Sequence, residues 1–304
     1  MIVRLTLALL VAIPAAMAYP WETTASRWLL GAAVAVLLVL FAWWRGMFVT
    51  TMVARRIAMW RRRGRVDGSH RSTEFATVAL RVTSREATQL PLAMLAGYVD
   101  RYGIAFDKVR ITSRDAAGER TTWVSVTLGA ADNLIALTAR SPRIPLQDTV
   151  ELTGRRLADQ LREHGWEVAP DPEPMVVLPE RVKESWRAVA DSRGHVAAYR
   201  IAVGADLGDT LAALRVLEAA EVWSAVEITG SRTVPELAAA CAVRTDERPG
   251  RAAPLPGLTP ERGTHGPALT AMSPKSDERL SASRVGAAGL LDLGWFTGAV
   301  LSRT

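Results

Sequence analysis

The hydrophobic pattern divides the chain into three stretches of different character. Residues 2–18 are apolar apart from Arg4 and Thr6, and residues 28–44 carry no charge. Each run is 17 residues long, at the short end of what crosses a hydrocarbon core about 30 Å thick. Arg4 and Arg45 stand where long side chains reach headgroups, so spans of about 2–19 and 27–48 are expected. Only nine residues, 19–27, join the runs, a length that suits a helical hairpin. A competing pattern lies inside the first run. Ala16-Met17-Ala18 fits a signal-peptidase site, although a single charge precedes the apolar stretch.

Arginine placement sets the orientation. Arg45, Arg55, Arg56, Arg61, Arg62, Arg63 and Arg65 follow the second run, whereas the connection carries Arg27 and Glu22. The positive-inside rule puts everything after residue 45 in the cytoplasm, under either reading of the first run. Trp21 and Trp28 mark one membrane interface, and Trp43 and Trp44 the other. Residues 47–60 either continue the second helix or lie on the membrane surface. The collar of Arg45, Arg55, Arg56, Arg61, Arg62 and Arg63 either holds anionic lipid or an acidic partner, or serves only to fix topology.

Beyond a short linker the period changes. Residues 75–82 alternate with β-branched positions and predict a strand. Residues 89–101 have helical spacing and end before Gly103. Residues 106–112 and 121–128 predict two strands around a loop at 113–118. Residues 132–140 predict a short helix capped by Asp132. Residues 149–164 predict a longer one, with Leu152, Leu157 and Leu161 on one side and Gly165 as its stop. A short strand at 166–169 follows. Then come a strand at 195–203, a helix at 206–219 and a strand pair at 222–229 and 236–245. The order strand, helix, strand, strand thus occurs twice, with little sequence identity between the two copies.

The expected fold is an α/β domain of the α+β kind, with a mixed or largely antiparallel sheet, behind a two-helix transmembrane hairpin. Residues 1–65 form the anchor and basic segment, and residues 66–245 the cytoplasmic domain. Whether its two halves share one sheet is open. Residues 246–304 are rich in Pro, Gly, Arg and Ser and are expected to form a largely irregular tail. Within it, residues 285–301 are apolar but broken by Gly286, Gly289, Asp292, Gly294 and Gly298. They suit packing better than a third span.

Charge narrows the function. The chain has 37 basic and 31 acidic residues, a net +6. Setting aside the seven arginines of 45–65 leaves 30 basic against 31 acidic. The rest of the chain has no spare positive charge for phosphates, which argues against nucleic acid. The single Cys241 excludes an intrachain disulfide. His70, His164, His195 and His265 have no metal-ligand spacing. There is no nucleophile elbow and no glycine-rich phosphate loop. No catalytic, cofactor or metal site is expected. A membrane-anchored transferase at the cytoplasmic face is the alternative, because α/β sheets host many such activities.

A resemblance runs along most of the chain. Its motifs are Pro20-Trp21-Glu22-Thr23-Thr24 and Ala42-Trp43-Trp44-Arg45-Gly46-Met47-Phe48. Asp100-Arg101-Tyr102-Gly103-Ile104 leads on to Asp107-Lys108-Val109-Arg110-Ile111-Thr112. Then come Arg143-Ile144-Pro145-Leu146-Gln147-Asp148-Thr149, Gly154-Arg155-Arg156-Leu157-Ala158-Asp159 and Gly257-Leu258-Thr259-Pro260-Glu261-Arg262-Gly263. In these the chain resembles the EccE family, membrane components of the type VII (ESX) secretion machinery of mycobacteria and related actinobacteria. The resemblance implies a non-enzymatic structural subunit of an inner-membrane complex. Its partners would be EccB, the ATPase EccC and EccD, and it would support assembly or stability during protein export.

Overall fold

The computed structural model describes residues 2–17, 19–20, 23–41, 43–44, 47–62, 74–83, 89–139, 144–178, 182–287 and 289–296. The chain divides into two compact units, Met1–Arg63 and Gly64–Thr304.

The first unit contains α1 (Ile2–Met17), α2 (Thr24–Phe41), β1 (Trp43–Trp44), β2 (Met47–Phe48) and α3 (Val49–Arg62). Helices α1 and α2 pack together, and their buried positions, Ala15 and Ala33, are small. Among the described residues no helix is long and apolar enough to cross a membrane. The described helices cover Ile2–Met17 and Thr24–Phe41, so the expected spans of about 2–19 and 27–48 are not shown. The first stops at Met17, before Pro20, which lacks an N–H and disfavours helix in the residue ahead of it. The second stops at Phe41. Aromatic Trp43, Trp44 and Phe48 suit an extended pair, and Trp43 lies opposite Phe48 in an antiparallel ladder. The basic segment then forms a helix of its own.

The second unit contains one twelve-stranded sheet and a separate antiparallel pair, Gln89–Leu90 with Trp295–Phe296. Its strands are β3 (Phe75–Thr83), β4 (Gln89–Leu90), β5 (Asp100–Arg101), β6 (Ile104–Ala116), β7 (Glu119–Gly129) and β8 (Glu167–Pro170). They continue with β9 (Lys183–Glu184), β10 (Val189–Asp191), β11 (Gly194–Ile201), β12 (Glu221–Gly230) and β13 (Pro235–Thr245). The last three are β14 (Leu258–Pro260), β15 (Val285–Gly286) and β16 (Trp295–Phe296). Helices α4 (Leu92–Ala96), α5 (Leu134–Thr138), α6 (Leu146–Glu163), α7 (Leu207–Arg215) and α8 (His265–Met272) lie between them. The main path is β8-β3-β7-β6-β12-β13-β11-β10-β9, and each of its pairings is antiparallel.

The two strand-helix-strand-strand blocks share this sheet. In each, the third strand lies between the first and second, giving β3-β7-β6 and β12-β13-β11. The halves meet at β6 and β12, with Val109 opposite Ile228 and Ala116 opposite Glu221.

Strand alternation sorts side chains onto two faces. One face carries Val109, Ile111, Val124, Val126, Val226, Ile228, Leu237 and Cys241. Helix α6 lies on it, with Leu157 and Leu161 buried. Leu152, expected beside them, is exposed. The close approach occurs at Gly154, where an added Cβ would stand 2.9 Å from Val78 Cγ1. The other face carries Trp123, Trp223, Ala225, Ala238, Ala240 and Ala242. What covers it is the C-terminal region. Leu269, Met272, Leu280 and Ala282 are buried against these residues. The chain then pairs β15 with β13 and returns to the first face, where Ala287 and Trp295 are buried. The described part of the expected tail is thus packed onto the sheet, with a backbone of turns and bends between short elements.

Local departures have simple causes. The helix expected at 89–101 is reduced to α4, because Pro91 precedes it and Gly97 follows it. The loop expected at 113–118 is a two-residue turn. Ala117 and Gly118 both take positive φ, 52° and 78°, the geometry that lets strands continue to the turn. Asp132 does not cap a helix. Asn133 instead ties the segment to the sheet, its Oδ1 accepting from Ala105 N at 2.9 Å and its Nδ2 donating to Gly129 O at 3.0 Å.

Candidate functional site

Helix α3 is amphipathic in an unusual sense, since its apolar stripe faces outward. Val53, Ile57 and Trp60 recur at i, i+4 and i+7 and are 51%, 52% and 68% exposed. At 3.6 residues per turn, Arg56 falls on one side of this stripe and Arg61 on the other. Both arginines are exposed, Arg55 is half-buried, and the helix contains no acidic residue. Of the other expected interface residues, Trp28 is exposed on α2 and Arg62 ends α3. Trp43 and Trp44 form β1. Trp21, Arg45 and Arg63 lie outside the described residues.

A second cluster sits at the β5–β6 turn. Arg101 is opposite Ile104, so the turn is Tyr102-Gly103, with φ of 60° and 70°. A bulky residue at positive φ costs about 1–2 kcal/mol. The Tyr102 ring meets the Tyr98 ring edge-on, with centroids 6.5 Å apart. The Arg101 guanidinium lies 4.4 Å from the Tyr98 centroid and 5.3 Å from that of Tyr102, and Arg156 lies 4.6 Å from Tyr102. Tyr98 donates its hydroxyl to Gln160 Oε1 at 2.7 Å. Burial of Tyr98 raises its hydroxyl above the ordinary tyrosine range, although Arg101 pulls the other way. Beside this cluster opens a cleft of about 420 Å³, whose walls include Met94, Arg101, Gln160, Arg232, Pro235 and Leu291. Sequence reasoning missed this site. The Tyr-Gly pair ahead of a strand is the local signal, but Arg156 comes from a helix more than 50 residues on.

The sheet interior holds charge as well. Lys108, Arg110 and Glu227 are buried on the face that the C-terminal region covers. Arg110 Nη2 donates to Glu227 Oε2 at 2.7 Å, and Arg110 Nη1 to Ser273 O at 3.1 Å. Lys108 Nζ donates to the carbonyls of Asp277 and Glu278. Burial, reinforced by the charge of Arg110, lowers Lys108 to about 7. A lysine so tuned could act as a base, but the 277–278 backbone seals it from any substrate. At the sheet's end Glu221 accepts from Arg114, and from Arg244 Nε at 2.6 Å. Burial alone would raise its carboxyl, but the two arginines outweigh that and hold it below the ordinary value.

His164 and His195 face backbone carbonyls, and His265 Nδ1 accepts from Ala198 N at 3.0 Å. His70 lies outside the described residues. Burial pushes the Cys241 thiol up. Among the described residues no group of three or more His, Cys, Asp or Glu is arranged to hold a metal.

Comparison with known proteins gives consistent matches. Residues 116–201 match the family described as the type VII ESX secretion system translocon, EccE. The chain is 52% identical over 285 residues to the ESX-3 secretion system protein EccE3 of Mycolicibacterium smegmatis. That match covers 94% of this chain and 92% of the relative. It is 48% identical over 298 residues to the protein of the same name from Mycobacterium tuberculosis H37Rv, covering 95% of this chain and 89% of that one.

Proposed function

This chain belongs to the EccE family and is a structural subunit of type VII secretion. From that premise we propose that it is a non-enzymatic, membrane-held component that supports assembly or stability of the inner-membrane export complex. The observation that carries the membrane part is the first unit. Leu9, Leu10, Ile13 and Trp28 of α1 and α2 are exposed, and the outward stripe of α3 follows them with arginine on both sides. In water such surface is a liability, and against lipid it is buried. Arginines flanking an apolar stripe fit anionic headgroups, with α3 in the interfacial plane. The α1–α2 pair then serves as the anchor. The Gly64–Thr304 unit faces the cytoplasm in this reading, as the arginine bias requires. The partners are the EccB, EccC and EccD subunits, with EccC supplying the ATPase work.

Two measurements test this. Tagged full-length protein is purified in mild detergent and its companions identified by mass spectrometry. A stoichiometric assembly containing an ATPase and multi-span proteins is expected, and a solitary protein across several detergents overturns the subunit reading. Alkaline carbonate extraction of membranes tests the anchor. Retention in the pellet is expected, whereas full release by carbonate would remove the spanning helices from the proposal.

A further inference from the structure

The cluster at Tyr102 gathers positive charge that no carboxylate among the described residues neutralises. Two guanidinium groups, Arg101 and Arg156, lie on one ring, an arrangement that mutual repulsion opposes and the ring's negative faces offset. Elsewhere on α6 arginines find acids, Arg155 with Glu151 and Arg162 with Asp159. Among the described residues Arg101, Arg156 and Arg232 pair with no carboxylate.

The cleft beside them has one polarity. Among the described residues its lining includes Arg101, Arg232 and Gln160, and no Asp or Glu. Gln160 has its carbonyl oxygen engaged by Tyr98, so its amide Nε2 is what it can offer a ligand. The polar walls therefore present donors. Ala93, Met94, Pro235 and Leu291 make the remaining wall apolar. The turn that positions Arg101 holds Tyr102 at positive φ, a strain that collects at sites where geometry matters.

We propose that this cleft receives an acidic, partly apolar polypeptide segment of another protein in the assembly. A carboxylate binds among Arg101, Gln160 and Arg232, and an adjoining apolar side chain rests on Met94, Pro235 and Leu291. A polypeptide satisfies both halves of the lining, whereas a phosphate group would use the cations and leave the apolar wall wet. This inference rests on the subunit reading above and adds a contact surface to it.

The test uses the full-length protein in its assembly. The photo-cross-linker p-benzoylphenylalanine replaces Val234, which is exposed and precedes lining residue Pro235. The same probe at Ile135, exposed on α5, is the remote control. The expected result is a cross-link from position 234 to an Asp- or Glu-containing stretch of another polypeptide. Arg101→Gln with Arg232→Gln should cut it about tenfold, as loss of charge-assisted bonds implies, while the paired lysine replacements keep most of it. Cross-links to lipid, to a stretch without acidic residues, or of equal yield in the glutamine pair overturn the proposal. So does an absence of cross-links in an assembly that still copurifies. If the glutamine pair does not fold, the segment captured by the single-site probe decides alone. Failure of the wild-type chain to copurify with anything would instead strike the subunit reading.

Discussion

Arg110 and Glu227 are direct neighbours across the two central strands, Nη2 to Oε2 at 2.7 Å, and neither side chain reaches solvent. The pair does more than join β6 to β12. Glu227 Oε2 also accepts from Leu280 N at 3.1 Å, and Arg110 donates to Ser273 O. One buried ion pair thus ties the first half of the sheet, the second half and the C-terminal layer. Breaking it leaves an uncompensated buried charge. Glu227→Gln is expected to lower stability by about 3–5 kcal/mol. Arg110→Met combined with Glu227→Met should recover much of the loss. Urea unfolding of the detergent-solubilised full chain measures both, and a double variant as weak as the single would show that the pair is not the source.

Lys108 gives the domain a pH signature. Burial and Arg110 lower it to about 7, against the opposing pull of Glu227, Asp107 and Asp277. Between about 7 and its unfolded value near 10.4 the unfolded chain binds the proton and the folded chain does not. Stability therefore rises with pH through that window and is flat below it, as far as this group contributes. Lys108→Met should remove this rise and leave only the opposing fall that the buried Cys241 thiol contributes above about pH 8.5. Melting temperatures from pH 6.5 to 9.5 in both proteins supply the check, and equal slopes would contradict it. Tyr199, pushed by burial to about 12, acts only from about pH 10 upward, beyond the measured range.

Gly154 is where α6 meets β3. A Cβ there would meet both methyl groups of Val78, at 2.9 and 3.0 Å. Valine is stiff at χ1 and cannot swing away. Gly154→Ala gains helix propensity of roughly 1 kcal/mol and loses about 1–3 kcal/mol to overpacking, so a net loss is expected. Val78→Ala added to it should restore part. A double-mutant cycle showing no coupling would mean that the helix shifts freely.

The C-terminal layer should be indispensable. Leu269 and Met272 are fully buried beneath the sheet, near the stacked Trp123 and Trp223 rings, whose centroids are 5.8 Å apart. Leu269→Ala is expected to cost about 2–5 kcal/mol. Removing residues 264–304 should expose the whole face and drive aggregation, seen by size exclusion and by a red-shifted tryptophan emission. A monodisperse truncated protein with unchanged emission would reverse this assignment.

The limits of legibility follow from particular residues. Strands β3, β12 and β13 were readable because apolar residues such as Val78, Leu80 and Val82, Val226 and Ile228, and Leu237 and Val243 recur at a period of two. Apart from Trp223, the second face of β12 and β13 is Ala225, Ala238, Ala240 and Ala242, too small to announce a core. The residues that cover it sit in a Pro- and Gly-rich stretch whose composition reads as a tail. The α3 stripe was partly visible, because arginines and apolar residues alternate there. Its independence from α2 was not, because Trp43 and Trp44 suit a membrane interface as well as a strand.

The sequence alone determined the basic segment after the second apolar run, the strand-helix-strand-strand order of each half and the family. These follow from local periodicity, local charge and motif order. Only the tertiary structure decided that the halves share one sheet, that residues 265–282 cover its second face and that Arg101, Tyr102 and Arg156 share one site. Each of those depends on contacts between residues far apart in the chain. Such contacts are set by which faces can be buried together, and no local window of sequence contains that information.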